Sequence, residues 1–317
     1  MSRVRHHLAT VQKMNVQFFT IKLHLGITLC TQPVCTAAHS LQNEQRFQRN
    51  TMPNLAPFFE NVKLPVISEV GHALIATLAD EDASVQQVSA IIARDPALTA
   101  KLMRLANSAR FGSSRGVSSL DEAIAMAGMS HIRTLALAAC FAEAFPDLPG
   151  LDSDEFWKSS MACAGYAKWL ATGITSEGQE AWLGGMMVRL GELLIYQVTP
   201  AAFAEIEQQP HLPGGRWERE QRLLGFSEGA ITAELGRRWN FPEKIVRALE
   251  CSSDPMTAHP FSQLGAIIHL ASLLADTPSD DPAILDTLPQ DVVTALQLNR
   301  DWMRAKFPSH SSFSGAP

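Results

Sequence analysis

From residue 64 to residue 276 apolar side chains recur every three or four positions. Each run opens on a capping residue and closes on Gly, Pro or a polar turn, which predicts a succession of amphipathic helices. Pro65 is expected to open a helix whose apolar face is Val66, Val70, Leu74 and Leu78, with Ala79-Asp80-Glu81-Asp82 as its polar end. Ser84-Val85-Gln86-Gln87 reads as a capping box for a helix carrying Val88, Ile91 and Ile92. Asp95-Pro96 stops it and starts another, with Leu98, Leu102, Leu105 and Ala109 inward and the Ser/Gly-rich stretch 107–116 as its end. Ser119-Leu120-Asp121-Glu122 is a second capping box, Gly128 closes that short helix, and Pro146 stops an apolar helix over 131–145.

The prolines and acids of 146-PDLPGLDSDE-155 separate two helical arrays, so a boundary is placed near residue 150. Asp152 begins a helix through Trp157, Met161, Ala164 and Leu170 that ends at Gly173. The stretch 181-AWLGGMMVRLGELLIYQ-197 carries two charges, Arg189 and Glu192, and reads as one buried helix. Short helices follow near 200–208, 216–224, 228–239, 243–251, 261–276 and 289–306, and the tail from Pro308 is expected to be disordered. With runs of Ala, Leu and Met in place of β-branched alternation, the whole pattern predicts an all-α protein.

Composition narrows the function classes. No uncharged apolar run approaches the roughly 20 residues that cross a bilayer, so no membrane span is expected. Residues 1–50 carry six basic side chains against Glu44, which leaves 20 basic and 31 acidic residues in 51–317, a balance that repels a phosphate backbone. Nucleic acid is therefore not an expected partner. The cysteines Cys30, Cys35, Cys140, Cys163 and Cys251 are odd in number, which favours a reducing compartment and a cytoplasmic location. Residues 1–56 are read as an extension, disordered or not native, with the functional chain beginning near Met52.

Candidate chemistry is thin. No two of the ten histidines stand at i, i+4 on a helix, and Ser160, Ser252 and Ser253 have no His-Asp relay near them in sequence. Asn107 could shape a ligand cleft but is read first as a helix-end side chain, and Trp239 as a core plug at a helix junction that could otherwise stack a base. Arg216, Arg219, Arg222, Arg237 and Arg238, interleaved with Glu218, Glu220 and Glu234, read as a solvated, ion-paired face.

The ordered run Leu64-Pro65, 94-RDPALTAKLMRLANSARFG-112 and 120-LDEAIAMAGMSHIRTLAL-137 resembles the N-terminal half of the HDOD family, bacterial signal-transduction domains related to HD-type phosphohydrolases. Phe156-Trp157, the 181–197 stretch, Leu224-Gly225-Phe226-Ser227, 235-LGRRWNFPEKIVRAL-249 and 267-IIHLASLLA-275 follow in family order. The resemblance covers about 57–277. It implies an N-terminal helical bundle over 57–150 packed on a degenerate HD-like helical bundle over 151–277, with C-terminal helices and a tail in 278–317.

It also implies that the metal ligands are lost. The His-Asp position is Val188-Arg189, while Gly191-Glu192 keeps the register; the histidine after Phe156-Trp157 is matched by Ser159, and the one after Gly-Phe-Ser by Glu228. The His-His pair before Asp254 is Ser252-Ser253, and the aspartate after His269-Leu270-Ala271 is Ser272. Valine has no lone pair and guanidinium is a permanent cation, so no metal, cofactor or catalytic residue is expected. The expected function is a non-enzymatic signalling module that binds a partner protein, with the groove between the two halves as its informative surface. A receptor in which Arg189, with Asn107 or Trp239, contacts a nucleotide or cyclic dinucleotide is the alternative, and a residual phosphohydrolase the third reading. A buried Arg189 needs a carboxylate, and Glu228 is favoured over Glu192.

Overall fold

Side-chain caps set most of the helix starts in the structure, a computed structural model that describes residues 55–60, 62–78, 80, 83–107, 117–145, 148–174, 178–208 and 214–313. The basic segment, Ala109 with its loop, and the last four residues lie outside the described residues. After α1 (Ala56–Glu60), α2 (Glu69–Ala76) begins where Ser68 Oγ accepts the Gly71 N–H. It starts four residues later than expected, and Val66, placed on its apolar face, is 82% exposed. Ser68 can satisfy an open first-turn N–H and Pro65 has no group that can. Ser84, Asp95 and Ser119 cap α3 (Val85–Ile92), α4 (Pro96–Ala106) and α5 (Leu120–Ala127) as their sequences predict. Gly128 ends α5, and α6 (Met129–Ala144) follows, wholly buried from Thr134 to Phe141.

Asp152 caps α7 (Ser153–Thr172), the long helix of the second half. The 181–197 stretch is not one helix: α8 (Gly178–Met187) and α9 (Leu190–Val198) are separated by a turn at Val188-Arg189. The Thr232 hydroxyl bridges the interruption, donating to Val188 O (2.9 Å) and accepting the Gly191 N–H (2.8 Å). α10 (Pro200–Ile206), α11 (Gly215–Leu223), α12 (Glu228–Arg238), α13 (Glu243–Glu250) and α14 (Gln263–Asp276) fall where expected. The run near 289–306 is two helices, α15 (Gln290–Ala295) and α16 (Arg300–Ala305), interrupted where Gln297 takes a φ of 55°. The tail departs from its expected disorder, because His310–Phe313 forms a turn whose Phe313 ring meets Tyr166 of α7 edge-on at 4.9 Å. An aromatic that packs its ring against a helix offsets ordering entropy that a polar composition alone would not.

The described residues form helices and turns with no strand, an all-α fold. α7, α8 and α14 pack together at the centre of the second half, α9 crosses α12, and α8 also touches α6 of the first half. One apolar core runs from Phe58 to Met303 within the compact unit Asn54–Pro317. Trp239 stacks flat on Phe141 of α6 at 5.7 Å and donates Nε1–H to Pro65 O, so it plugs the junction of the halves.

Candidate functional site

The α8–α9 turn places Val188 in the core and points Arg189 at two carboxylates. Its Nε lies 2.8 Å from Glu192 Oε1 on α9, and its Nη1 2.5 Å from Asp276 Oδ1 at the end of α14. Asp276 stands one helical turn beyond Ser272, so it brings an acid to the face where Ser272 has none. The favoured Arg189–Glu228 pair is not what forms. Glu228, at the start of α12, instead lies 3.4 Å from Arg216 Nε and accepts Trp217 Nε1–H at 3.2 Å. The second guanidinium comes from α11 and competes successfully for Glu228, which leaves Arg189 to nearer acids.

Arg216 is the centre of this network. Its Nε is 3.0 Å from Glu220 Oε1, its Nη2 3.5 Å from Glu192 Oε2, and its Nη1 contacts Glu207 at the end of α10. Arg216 is 4% exposed and Glu220 0%, which corrects the solvated-face reading for these two residues. Arg222, Arg237 and Arg238 keep to that reading, pairing with Glu205, Glu250 and Glu234 nearer the surface. The missed signal is Trp217: an indole in a polar helix marks the inward face, and Arg216 and Glu220 lie beside it. Glu220 Oε2 also accepts the Glu228 N–H at 2.8 Å, satisfying a first-turn donor of α12.

Burial dominates the electrostatics. It works against both guanidinium charges, but Glu192 with Asp276 for Arg189, and Glu192, Glu228 and Glu220 for Arg216, outweigh it and hold both protonated. Burial pushes Glu220 up to about 7 against the pull of Arg216 and the Glu228 N–H. Glu192 is driven well above the carboxylate range by burial despite both arginines, and Glu228 is raised by burial and by Glu220. His269 on α14 stacks on Trp217 at 4.7 Å; its Nδ1 lies 2.7 Å from Ser252 O, and burial depresses its pKa.

The remaining expected positions divide. Ser252 is buried near this network, its Oγ donating to Leu249 O, while Ser272 lies 3.6 Å from Cys163 Sγ. Ser159 sits half-buried on α7 one turn before Cys163, and Ser253 is half-buried after α13. Asn107 and Trp239 lie elsewhere, and Asn107 staples main chain: it donates to Met103 O and Val117 O and accepts the Val117 N–H. These residues do not fit a catalytic dication. Two fixed cations stand among the carboxylates, and among the described residues no set of three or more His, Cys, Asp or Glu side chains is placed to hold a metal. A separate cleft of about 280 Å³ opens between the halves, lined by Leu78, Arg133, Thr134, Gln179, Leu183 and Ile245.

The fold recurs in solved structures. A candidate phosphohydrolase from Shewanella amazonensis SB2B matches with a TM-score of 0.64 and 25% identity, over 82% of this chain and 97% of that one. A candidate signal transduction protein from Marinobacter aquaeolei VT8 matches at 0.65 and 21% identity, over 77% and 56% of the two chains. An HDOD domain protein of unknown function from Geobacter sulfurreducens matches at 0.58 and 20%, over 80% and 84%. Among curated proteins, an uncharacterized protein of Treponema pallidum (strain Nichols) is 24% identical over 177 residues, which is 54% of this chain and about a third, 34%, of that protein. The HDOD domain matches residues 64–255, from the extended stretch before α2 to the turn after α13, and the chain belongs to the HDOD domain family.

Proposed function

We propose that the chain is a non-catalytic HDOD signalling module that acts by binding a partner protein. The observation that carries this reading is the pair of guanidiniums, Arg189 at the degenerate HD position and Arg216 reaching in from α11, amid Glu192, Glu228 and Asp276. A hydrolase of the related type needs a dication to turn bound water into a nucleophile, and a fixed cation at that position repels one. The same network disfavours the nucleotide-receptor reading, because Arg189 already faces two acids and its surroundings hold more carboxylates than guanidiniums. A phosphate brought there would have to displace Glu192 and Asp276 from Arg189. The cleft between the halves remains as shaped surface for recognition, and no single described helix is long and apolar enough to cross a membrane.

The test is metal analysis of the purified protein, with phosphodiesterase assays on cyclic dinucleotides in added manganese or magnesium. No stoichiometric metal and no turnover are expected. Chelator-sensitive turnover that survives further purification would overturn the reading. Affinity capture from the native cell with mass spectrometry then identifies the partner, and variants at Arg133 and Gln179 on the cleft wall should weaken its capture.

A further inference from the structure

The cleft between the halves has a chemistry of its own, apart from the buried charges around Arg189 and Arg216. Arg133 and Thr134 of α6 form one wall with Leu78, and the start of α8, through Gln179, Glu180 and Leu183, forms the other with Ile245 of α13. The polar groups on these walls are held in place. Arg133 Nη1 donates to Thr77 O at 2.7 Å, the carbonyl that closes α2 immediately before Leu78. The Thr134 hydroxyl lies 3.2 Å from Gln179 Oε1, a contact that spans the two halves. Glu180 is met by Lys244 Nζ of α13 at 2.5 Å.

Charge, size and apolar surface together restrict what fits. Arg133 and Lys244 outnumber Glu180 at the walls, so a group with one negative charge is complementary, whereas a doubly charged phosphate would meet Glu180. About 280 Å³ is less than one turn of a helix roughly 10 Å across, so neither a helix nor the face of a folded domain can enter. Leu78, Leu183 and Ile245 stand beside the guanidinium and call for an aliphatic body next to the anion. An Asp or Glu side chain brings the charge without the branched aliphatic group. A chain that ends in Leu, Ile or Val brings both on one Cα.

We propose that the cleft receives the C-terminal residue of a partner chain, its α-carboxylate on Arg133 and its aliphatic side chain against Leu78, Leu183 and Ile245. The proposal rests on the partner-binding reading and names what that partner presents. Gln179 stands where the preceding peptide unit would pass, and a carboxamide can serve that unit as donor or acceptor. Free α-carboxylates are a recurring handle in peptide recognition. With one wall on α6 and the other on α8, the occupant would be held by both halves at once.

Methyl NMR of the full chain tests this, with Leu78, Leu183 and Ile245 as reporters. Three probes are titrated: a five-residue glycine-serine peptide ending in leucine, the same peptide amidated at its C-terminus, and isovalerate, which has the branched group and the carboxylate without a chain. The free peptide should shift the three reporters and saturate with a Kd of about 1 mM or below. Amidation should weaken it by about tenfold or more, as should Arg133→Gln, with Arg133→Lys in between because it keeps the charge and loses the fork. The amidated probe acts on the unaltered protein, so the comparison stands even if Arg133→Gln disturbs the end of α2. Reporters unmoved by the free peptide up to about 10 mM would overturn the proposal. So would equal binding of the two peptides, or isovalerate binding as tightly as the peptide, which would give the cleft to a small acid. No native partner enters this titration, so its failure and the failure of affinity capture are distinguishable.

Discussion

Truncating one member of a buried ion pair strands the other, at a cost of about 3–5 kcal/mol when no second partner compensates. Arg189 and Asp276 are the sharpest instance, with side chains 11% and 15% exposed and a 2.5 Å contact. Arg189→Met and Asp276→Asn should each destabilise the protein, and their double-mutant cycle should show greater coupling than the cycle of Arg189→Met with Glu228→Gln. Chemical denaturation of the six proteins decides the order. Glu220 sets a second expectation: raised to about 7 by burial, its contribution is complete below the ordinary carboxylate range and fades as pH rises through about 7. The melting temperature should decline over that interval, and less steeply in Glu220→Gln, which removes this step. Residue chemistry of this sort was only half legible in the sequence. Arg189 and Glu192 share a helix end and can be paired by spacing, whereas Asp276 lies 87 residues on and no periodicity announces it.

Helices were legible where their signals are local. Ser84, Asp95, Ser119 and Asp152 offer an oxygen to a first-turn N–H within three residues, and their helices start where that chemistry puts them. Pro65 misled because a permissive residue is not a cap. α11 misled because its polar composition resembles a surface helix, and Trp217 is the signal that marks its inward face. Between α9 and α12 the limiting feature is Gly191, where an added Cβ would lie 2.2 Å from the main-chain oxygen of Glu228. Backbone cannot yield as a side-chain tip can. Gly191→Ala should therefore push the helices apart, at about 1–3 kcal/mol in urea denaturation, although alanine is the better helix former.

At the scale of the whole molecule, the order of helices is what the family resemblance made readable, over about 57–277 of the unit Asn54–Pro317. Removing residues 1–51 is expected to leave the melting temperature of that unit unchanged. Ending the chain at Asp276 should be far costlier, since it removes Val292, Leu296 and Met303, which are buried, and uncovers Tyr166 and Trp169 on α7. Calorimetry of the two truncations compares them directly. The interruption at Val188-Arg189 bears on how such a chain reaches its native state. Residues 181–197 favour one continuous helix when read alone, and the hydroxyl that makes a break tolerable arrives from Thr232, 44 residues beyond Val188. The bend is held by a residue distant in sequence, so it is expected to form late in folding, once α12 has docked. A peptide spanning 178–198 should show unbroken helical connectivities by NMR in a helix-promoting solvent. In the full chain, Thr232→Val should slow the final refolding phase, because the straight segment would then break with nothing to receive its freed main-chain groups.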